Sequence, residues 1–161
     1  MRIHLAADHA GFQMKEDIKS FLVASGFEVE DHGAESFVPD DDYPEIIAHA
    51  AKALALSDED RAILFGASGQ GEAIVANRFP RVRAAVFYGN TGTQVDTGGM
   101  TLGLLESTRA HNDANVLSIG ARFVTLDEAK EAVSLWLKTP FSGEERHQRR
   151  VVDIERLVSG S

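Results

Sequence analysis

The sequence predicts an α/β fold: a five-stranded parallel sheet covered by helices on both faces, with strand order 2-1-3-4-5 and an added C-terminal helix. Three observations predict it. Short apolar runs alternate with stretches of helical spacing along the whole chain. The third run, Ala62 to Phe65, ends in a glycine-rich turn, GASGQGE, that opens a helix. Two Ser/Thr-x-x-Glu capping boxes mark the last helices. The 161 residues suit one domain, 1–161, with no repeat or linker to divide it.

Each element has its own justification. Ile3 to Ala7 is an apolar strand, and Phe12 to Ser25 carries Met14, Ile18, Phe21 and Leu22 at helical spacing before Gly26. Phe27 to Glu30 reads as a weaker strand. The acidic stretch 31–43, with Pro39, reads as loop, and Pro44 suits the first turn of a helix reaching Leu56. Ala62 to Phe65 is the third strand, and Glu72 to Phe79 is the helix after the glycine turn. Val82 to Tyr88 and Val116 to Ile119 are the fourth and fifth strands. Thr125 with Glu128 starts a helix through Trp136. Ser142 with Glu145 starts a tail helix over 142–158, with Val151, Ile154 and Leu157 on one side. Residues 89–105, GNTGTQVDTGGMTLGLL, break the rhythm and read as a long loop, a length that usually marks function or mobility.

Composition narrows the function. The formal charge is −9, with 25 acidic against 16 basic side chains, which disfavours a nucleic-acid footprint. Arginines cluster locally at 78, 81 and 83 and at 146, 149 and 150, a pattern suited to a small anion or to a solvated charged face. With no cysteine, disulfides, thiolate metal sites and a cysteine nucleophile are excluded. The six histidines show no H-x-H or H-x-x-x-H pairing, so no metal is expected. No apolar run is long enough to span a bilayer and the amino-terminal stretch is too polar for a leader, so a cytoplasmic location is expected, with no membrane partner.

The glycine turn is not a nucleotide cradle. A dinucleotide fingerprint follows the first strand, whereas Gly66, Gly69 and Gly71 follow the third. A P-loop needs Lys-Ser/Thr after its last glycine, and Glu72-Ala73 stands there instead. Glu72 either complements the helix dipole or acts as a base; burial would raise its pKa and the helix start would lower it. With the expected strand order, Asp8 and His9 share a crevice with Ala67 to Glu72 at the switch point between strands one and three.

These residues resemble the ribose-5-phosphate isomerase B family, related to galactose-6-phosphate isomerase subunits. The resemblance rests on Asp8-His9-Ala10-Gly11, Asp42-Tyr43-Pro44, the G-x-S-G-x-G-E-x-I-x-A-N stretch from Gly66 to Asn77, His111-Asn112, Gly120-Ala121-Arg122 and Arg146-His147-Gln148-Arg149-Arg150. It implies a Rossmann-like sheet, a homodimer or tetramer with sites near the interface, no metal or organic cofactor, and interconversion of ribose 5-phosphate and ribulose 5-phosphate. Many members place a cysteine base at the end of strand three, where this chain has Gly66. A second branch uses the glutamate that opens the next helix, and Glu72 matches it.

By the same resemblance His111 opens the sugar ring, while Asp8, His9, Asp42 and Tyr43 meet the sugar. His9, Arg122, Arg146 and Arg150 meet the phosphate, the tail arginines across the dimer interface. Arg146 and Arg150 stand i, i+4 on the tail helix, where both can face one anion or simply pair with Glu144 and Glu145. Asp8 equally suits a helix cap. Gly69 and Gly71 would leave the amides of 67–71 free to hold an enediolate, with Ser68 and Asn112 adding side-chain hydrogen bonds. Compared with the family, roughly ten residues are added upstream of His111. Two alternatives therefore stay open: a six-carbon aldose phosphate of the allose or galactose 6-phosphate type, or a non-catalytic module that binds sugar phosphates or nucleotides.

Overall fold

The computed structural model describes residues 1–158, so the last three residues of the expected domain lie outside the described residues. The elements run β1 (Arg2–Ala7), α1 (Phe12–Ala24), β2 (Glu28–Asp31), α2 (Tyr43–Ala55), β3 (Arg61–Gly66) and α3 (Gln70–Ala76). They continue as β4 (Ala84–Phe87), β5 (Thr93–Val95), β6 (Thr101–Gly103), α4 (Leu104–Asn112), β7 (Val116–Gly120), α5 (Leu126–Lys138) and α6 (Glu145–Val158). The main sheet is wholly parallel in the order β2-β1-β3-β7-β4.

The half that matters for the site, 2-1-3, is as expected, and it places a switch point between β1 and β3. Beyond β3 the last two strands exchange places relative to 2-1-3-4-5: the chain's fifth main strand, β7, lies inside and the fourth, β4, forms the edge. Burial explains the exchange. All five residues of β7 are buried, whereas only Phe87 of β4 is, so β7 suits an interior position and the shorter, half-covered β4 suits an edge.

Period-two alternation builds one core on each face. Ile3, Leu5, Ile63, Phe65, Leu117 and Ile119 point to the face covered by α1, α4 and α5, where Trp136 is fully buried. Ala6, Ala62, Leu64 and Val116 point to the other face, under Ile47, Ala50 and Leu54 of α2 and Ala76 of α3. Deeply buried strands on both faces are what a doubly wound parallel sheet requires.

Two local expectations change. Residues 89–105 are not structureless: β5 and β6 pair as an antiparallel hairpin, and α4 begins at Leu104. The helix escapes a reading by apolar period because its buried side includes Ser107 and Arg109. The tail helix begins at Glu145 rather than 142. Ser142 is not half of a capping box with Glu145; its hydroxyl accepts the Glu144 amide at 3.3 Å and lies 2.7 Å from His147 Nδ1.

Candidate active site

The carboxyl ends of β1 and β3 open a crevice, and three glycines let side chains crowd it. Gly69 caps α3 with φ +72, a left-handed conformation that favours glycine. Its carbonyl accepts the hydroxyl of fully buried Ser118 at 2.6 Å, which pins the turn to β7. The Ser68 hydroxyl accepts the Gln70 amide, and the carbonyls of Gly66 and Ala67 accept the amides of Ala121 and Arg122. Among the described residues, the amides of Ser68 and Gly69 donate to no protein acceptor, so both remain available to a ligand.

Glu72 sits in the first turn of α3 and is 4% exposed. Its carboxylate lies against the α-carbon of Gly66, where a Cβ would come within 2.0 Å of Oε1. Burial lifts its pKa above the ordinary carboxylate value and the neighbouring charge of Asp8 adds to this, while a hydrogen bond from its own amide opposes them. Burial therefore outweighs that hydrogen bond. The Tyr43 ring lies over Gly71, with its hydroxyl 2.8 Å from where a Cβ would stand.

Asp8 is buried, and its Oδ1 accepts the amides of Ala10 at 3.0 Å and Gly11 at 3.2 Å. It thus ties down the approach to α1 and also faces the crevice. The partner of His9 is Asp41, a residue the sequence reading passed over in favour of Asp42. Its Oδ1 accepts both the His9 amide, at 2.9 Å, and the ring Nδ1, at 2.8 Å. That hydrogen bond raises the His9 pKa, against desolvation and the nearby charge of exposed Arg122. Asp42 instead precedes α2 as its N-cap residue, without a side-chain capping bond. The run Asp40-Asp41-Asp42 offers three adjacent acids, and only the fold selects between them.

A second group gathers around the inserted hairpin. His111, in the last turn of α4, stacks on buried His147 with ring centroids 4.4 Å apart. The hairpin tip reaches both this group and α6: Asp96 Oδ2 lies 3.5 Å from His111 Nε2 and 3.3 Å from Arg146 Nη2, and Arg146 also bonds the Thr97 hydroxyl. Glu144 Oε2 lies 2.8 Å from Arg146 Nε. Arg150 is exposed and, like Arg146, near enough to act on the charge of His147. Asn112 lines a groove of about 380 Å³ with Val82, Ala84 and Ile154, away from the crevice.

Among the described residues no hydrogen bond or ion pair joins the two groups, and the topology explains why. The chain leaves α4 and enters β7 at Val116, whereas the crevice lies at the other end of β7, where Gly120 pairs with Gly66. Five strand residues separate those ends by about 13 Å. One chain thus presents Glu72, Asp8, His9, Tyr43 and the glycine turn at the carboxyl end of the strands, and His111, Asn112 and Arg146 toward the other end.

Among the described residues, two side-chain groups have donors close enough for a metal ion: Asp8, His9 and Asp41 in the crevice, and His4, Glu30 and His32 outside it. Neither was legible as a spacing pattern, since each joins distant residues. No helix among the described residues is long and apolar enough to cross a membrane.

The family described as Ribose/Galactose Isomerase matches over residues 3–154. The ribose-5-phosphate isomerase B of Mycolicibacterium paratuberculosis is 38% identical over 151 residues, covering 94% of this chain and 87% of that one. That of Escherichia coli is 37% identical over 156 residues, covering 97% and 95%. The structure of ribose-5-phosphate isomerase B from Mycoplasma genitalium with bound ribulose-5-phosphate superposes with a TM-score of 0.86 at 34% identity, covering 99% and 97% of the two chains. The chain belongs to the ribose/galactose isomerase family.

Proposed function

We propose that this protein interconverts D-ribose 5-phosphate and D-ribulose 5-phosphate through a cis-enediolate, with Glu72 as the base. The observation that carries the reading is the placement of one carboxylate: buried, its pKa raised, held against Gly66 beside two unused amides. A proton-transfer base at neutral pH needs that elevation.

The roles follow from the chemistry. His111 moves a proton from the anomeric hydroxyl toward the ring oxygen, which opens the ring. Glu72 removes the C2 proton and returns it to C1, while the hydroxyl proton of O2 passes to O1 and the carbonyl character moves from O1 to O2. The amides of Ser68 and Gly69 face the negative charge that develops on those oxygens, and each such donor is worth about 3 kcal/mol in the transition state. Asp8 and Tyr43 hold sugar hydroxyls. Protonated His9, with Arg122, Arg146 and Arg150, holds the phosphate.

These roles need His111, Arg146 and Arg150 at the crevice, and about 13 Å of strand keeps a chain's own His111 away from it. The active form in this reading is therefore a homodimer in which each crevice is completed by α4 and α6 of a second copy. A cytoplasmic enzyme free of resident metal chemistry fits the same reading. The hairpin's grip on Arg146 and His111 is the one observation that favours a shifted substrate preference, toward a six-carbon aldose phosphate.

Incubation with ribose 5-phosphate in D₂O, followed by NMR, tests the reaction. Ribulose 5-phosphate carrying solvent deuterium at C1 is the expected result. Turnover only of six-carbon phosphates would move the substrate, and no turnover of either from folded protein would defeat the proposal.

A further inference from the structure

A second constellation lies on the sheet outside the crevice. In the parallel β1/β2 ladder His4 stands directly opposite Glu30, so their side chains share a face. His32, two residues beyond Glu30, returns to that face. His4 Nδ1 is 2.9 Å from His32 Nε2. Glu30 Oε2 is 3.8 Å from His4 Nδ1, and Oε1 is 3.7 Å from His32 Nε2. His4 is 3% exposed and its other nitrogen, Nε2, has no hydrogen-bond partner; Asp60 Oδ2 lies 3.7 Å from it.

We infer that His4, Glu30 and His32 form a binding site for a divalent transition-metal ion of the zinc type, with Asp60 behind His4 as its outer partner. Two imidazoles and one carboxylate are a zinc donor set, and hard ions such as magnesium and calcium prefer all-oxygen sites. Tetrahedral bonds of about 2.0–2.1 Å put neighbouring donors about 3.3 Å apart, and the 2.9 Å between the two ring nitrogens and the 3.7 Å from His32 Nε2 to Glu30 Oε1 bracket that spacing. Small side-chain rotations bring all three onto one ion. A water molecule fills the fourth position.

The orphaned nitrogen supports the assignment. With its proton on Nε2, facing Asp60, neutral His4 directs its Nδ1 lone pair at the space shared with His32 and Glu30. This is the carboxylate–histidine–metal relay that orients metal-bound imidazoles. In the metal-free chain that lone pair accepts from His32 Nε2–H. When the ion binds, the His32 proton moves to its Nδ1, so the two rings release no net proton. Arg2 Nη1 holds Glu30 Oε2 at 2.8 Å, which leaves Oε1 as the ligand oxygen. His4 stands four residues before Asp8, about 13 Å along β1, so the ion ties β1 to β2 without entering the crevice.

The test uses full-length, untagged protein stripped with a chelator, then titrated with zinc chloride alone by calorimetry and with cobalt(II) chloride by visible absorption. The expected result is one ion per chain, a tetrahedral cobalt spectrum and a raised Tm. His32→Ala and Glu30→Gln should each weaken binding at least tenfold, and Asp60→Asn by about tenfold. Glu30→Gln keeps the test open if removal of an imidazole impairs folding. No stoichiometric ion, or binding unchanged in both ligand variants, would overturn the assignment. So would binding lost in Asp41→Asn but kept in those two, because the ion would then belong to the crevice.

Discussion

Gly66→Ala replaces one hydrogen at the floor of the crevice with a methyl group. That methyl would stand 2.0 Å from Glu72 Oε1, 2.1 Å from Cδ and 2.4 Å from Oε2. Ordinary contact begins near 3.4 Å, so the carboxylate must retreat by about 1.4 Å. These atoms are the far end of a flexible side chain, so the backbone of β3 and α3 can stay in place. A misplacement of about 1 Å at a reacting group costs about 100-fold. The assay is the kcat for conversion of ribose 5-phosphate to ribulose 5-phosphate, read beside Tm. The expected outcome is a kcat at least about 100-fold lower, with Tm changed by less than about 4 °C, the span that about 1 kcal/mol covers in a domain of this size. A variant within threefold of wild type would mean that the carboxylate position does not matter. A side chain at 66 and the Glu72 carboxylate in its present position would occupy one space.

The remaining predictions concern charge. Glu72→Gln should lower kcat by about 10³-fold and leave KM within about threefold, because it removes proton transfer and keeps the shape. Native Glu72 holds its proton more tightly than the unfolded chain does. Its stabilising contribution is therefore present below the ordinary glutamate pKa and is lost as pH rises through the raised value. At neutral pH, Glu72→Gln should accordingly raise Tm, measured by calorimetry, and a lowered Tm would contradict the burial argument. Asp41→Asn keeps an acceptor for His9 but removes the negative charge of the partner that raises its pKa. The rise in KM with pH should then begin at lower pH than in wild type; an unmoved profile would remove His9 from phosphate binding. Asp96→Asn keeps the acceptor for the Gly98 and Met100 amides but removes the charge facing Arg146. KM should fall about two- to fivefold, the range expected for a partly exposed ion pair.

Sequence made the sheet and crevice legible where period and chemistry coincide. The buried runs of β1 and β3, the glycine turn and Glu72 are local signals, and each stands where expected. Four things depended on distance instead. The exchange of the last two strands follows from relative burial of β4 and β7, which their short apolar runs do not reveal. The choice of Asp41 over Asp42 is made by how His9 meets the 31–43 loop. The His4, Glu30 and His32 cluster comes from strand register, with 26 and 28 positions between His4 and its companions. The hairpin's contact with Arg146 was equally hidden, since Asp96 reads only as a turn acid in GTQVDTGG.

In the proposed mechanism one working site takes Glu72 from one copy and His111 from another. Mixing separately purified Glu72→Gln and His111→Ala proteins, exchanging subunits and assaying ribose 5-phosphate turnover tests it directly. Each variant alone should retain at most a few per cent of activity, on the scale of general acid–base losses. In a mixed dimer one crevice carries both substitutions and the other carries neither, so an equal mixture should recover about a quarter of wild-type activity. A mixture that shows subunit exchange yet stays at the level of its parents would place both residues' work within one chain and contradict the account.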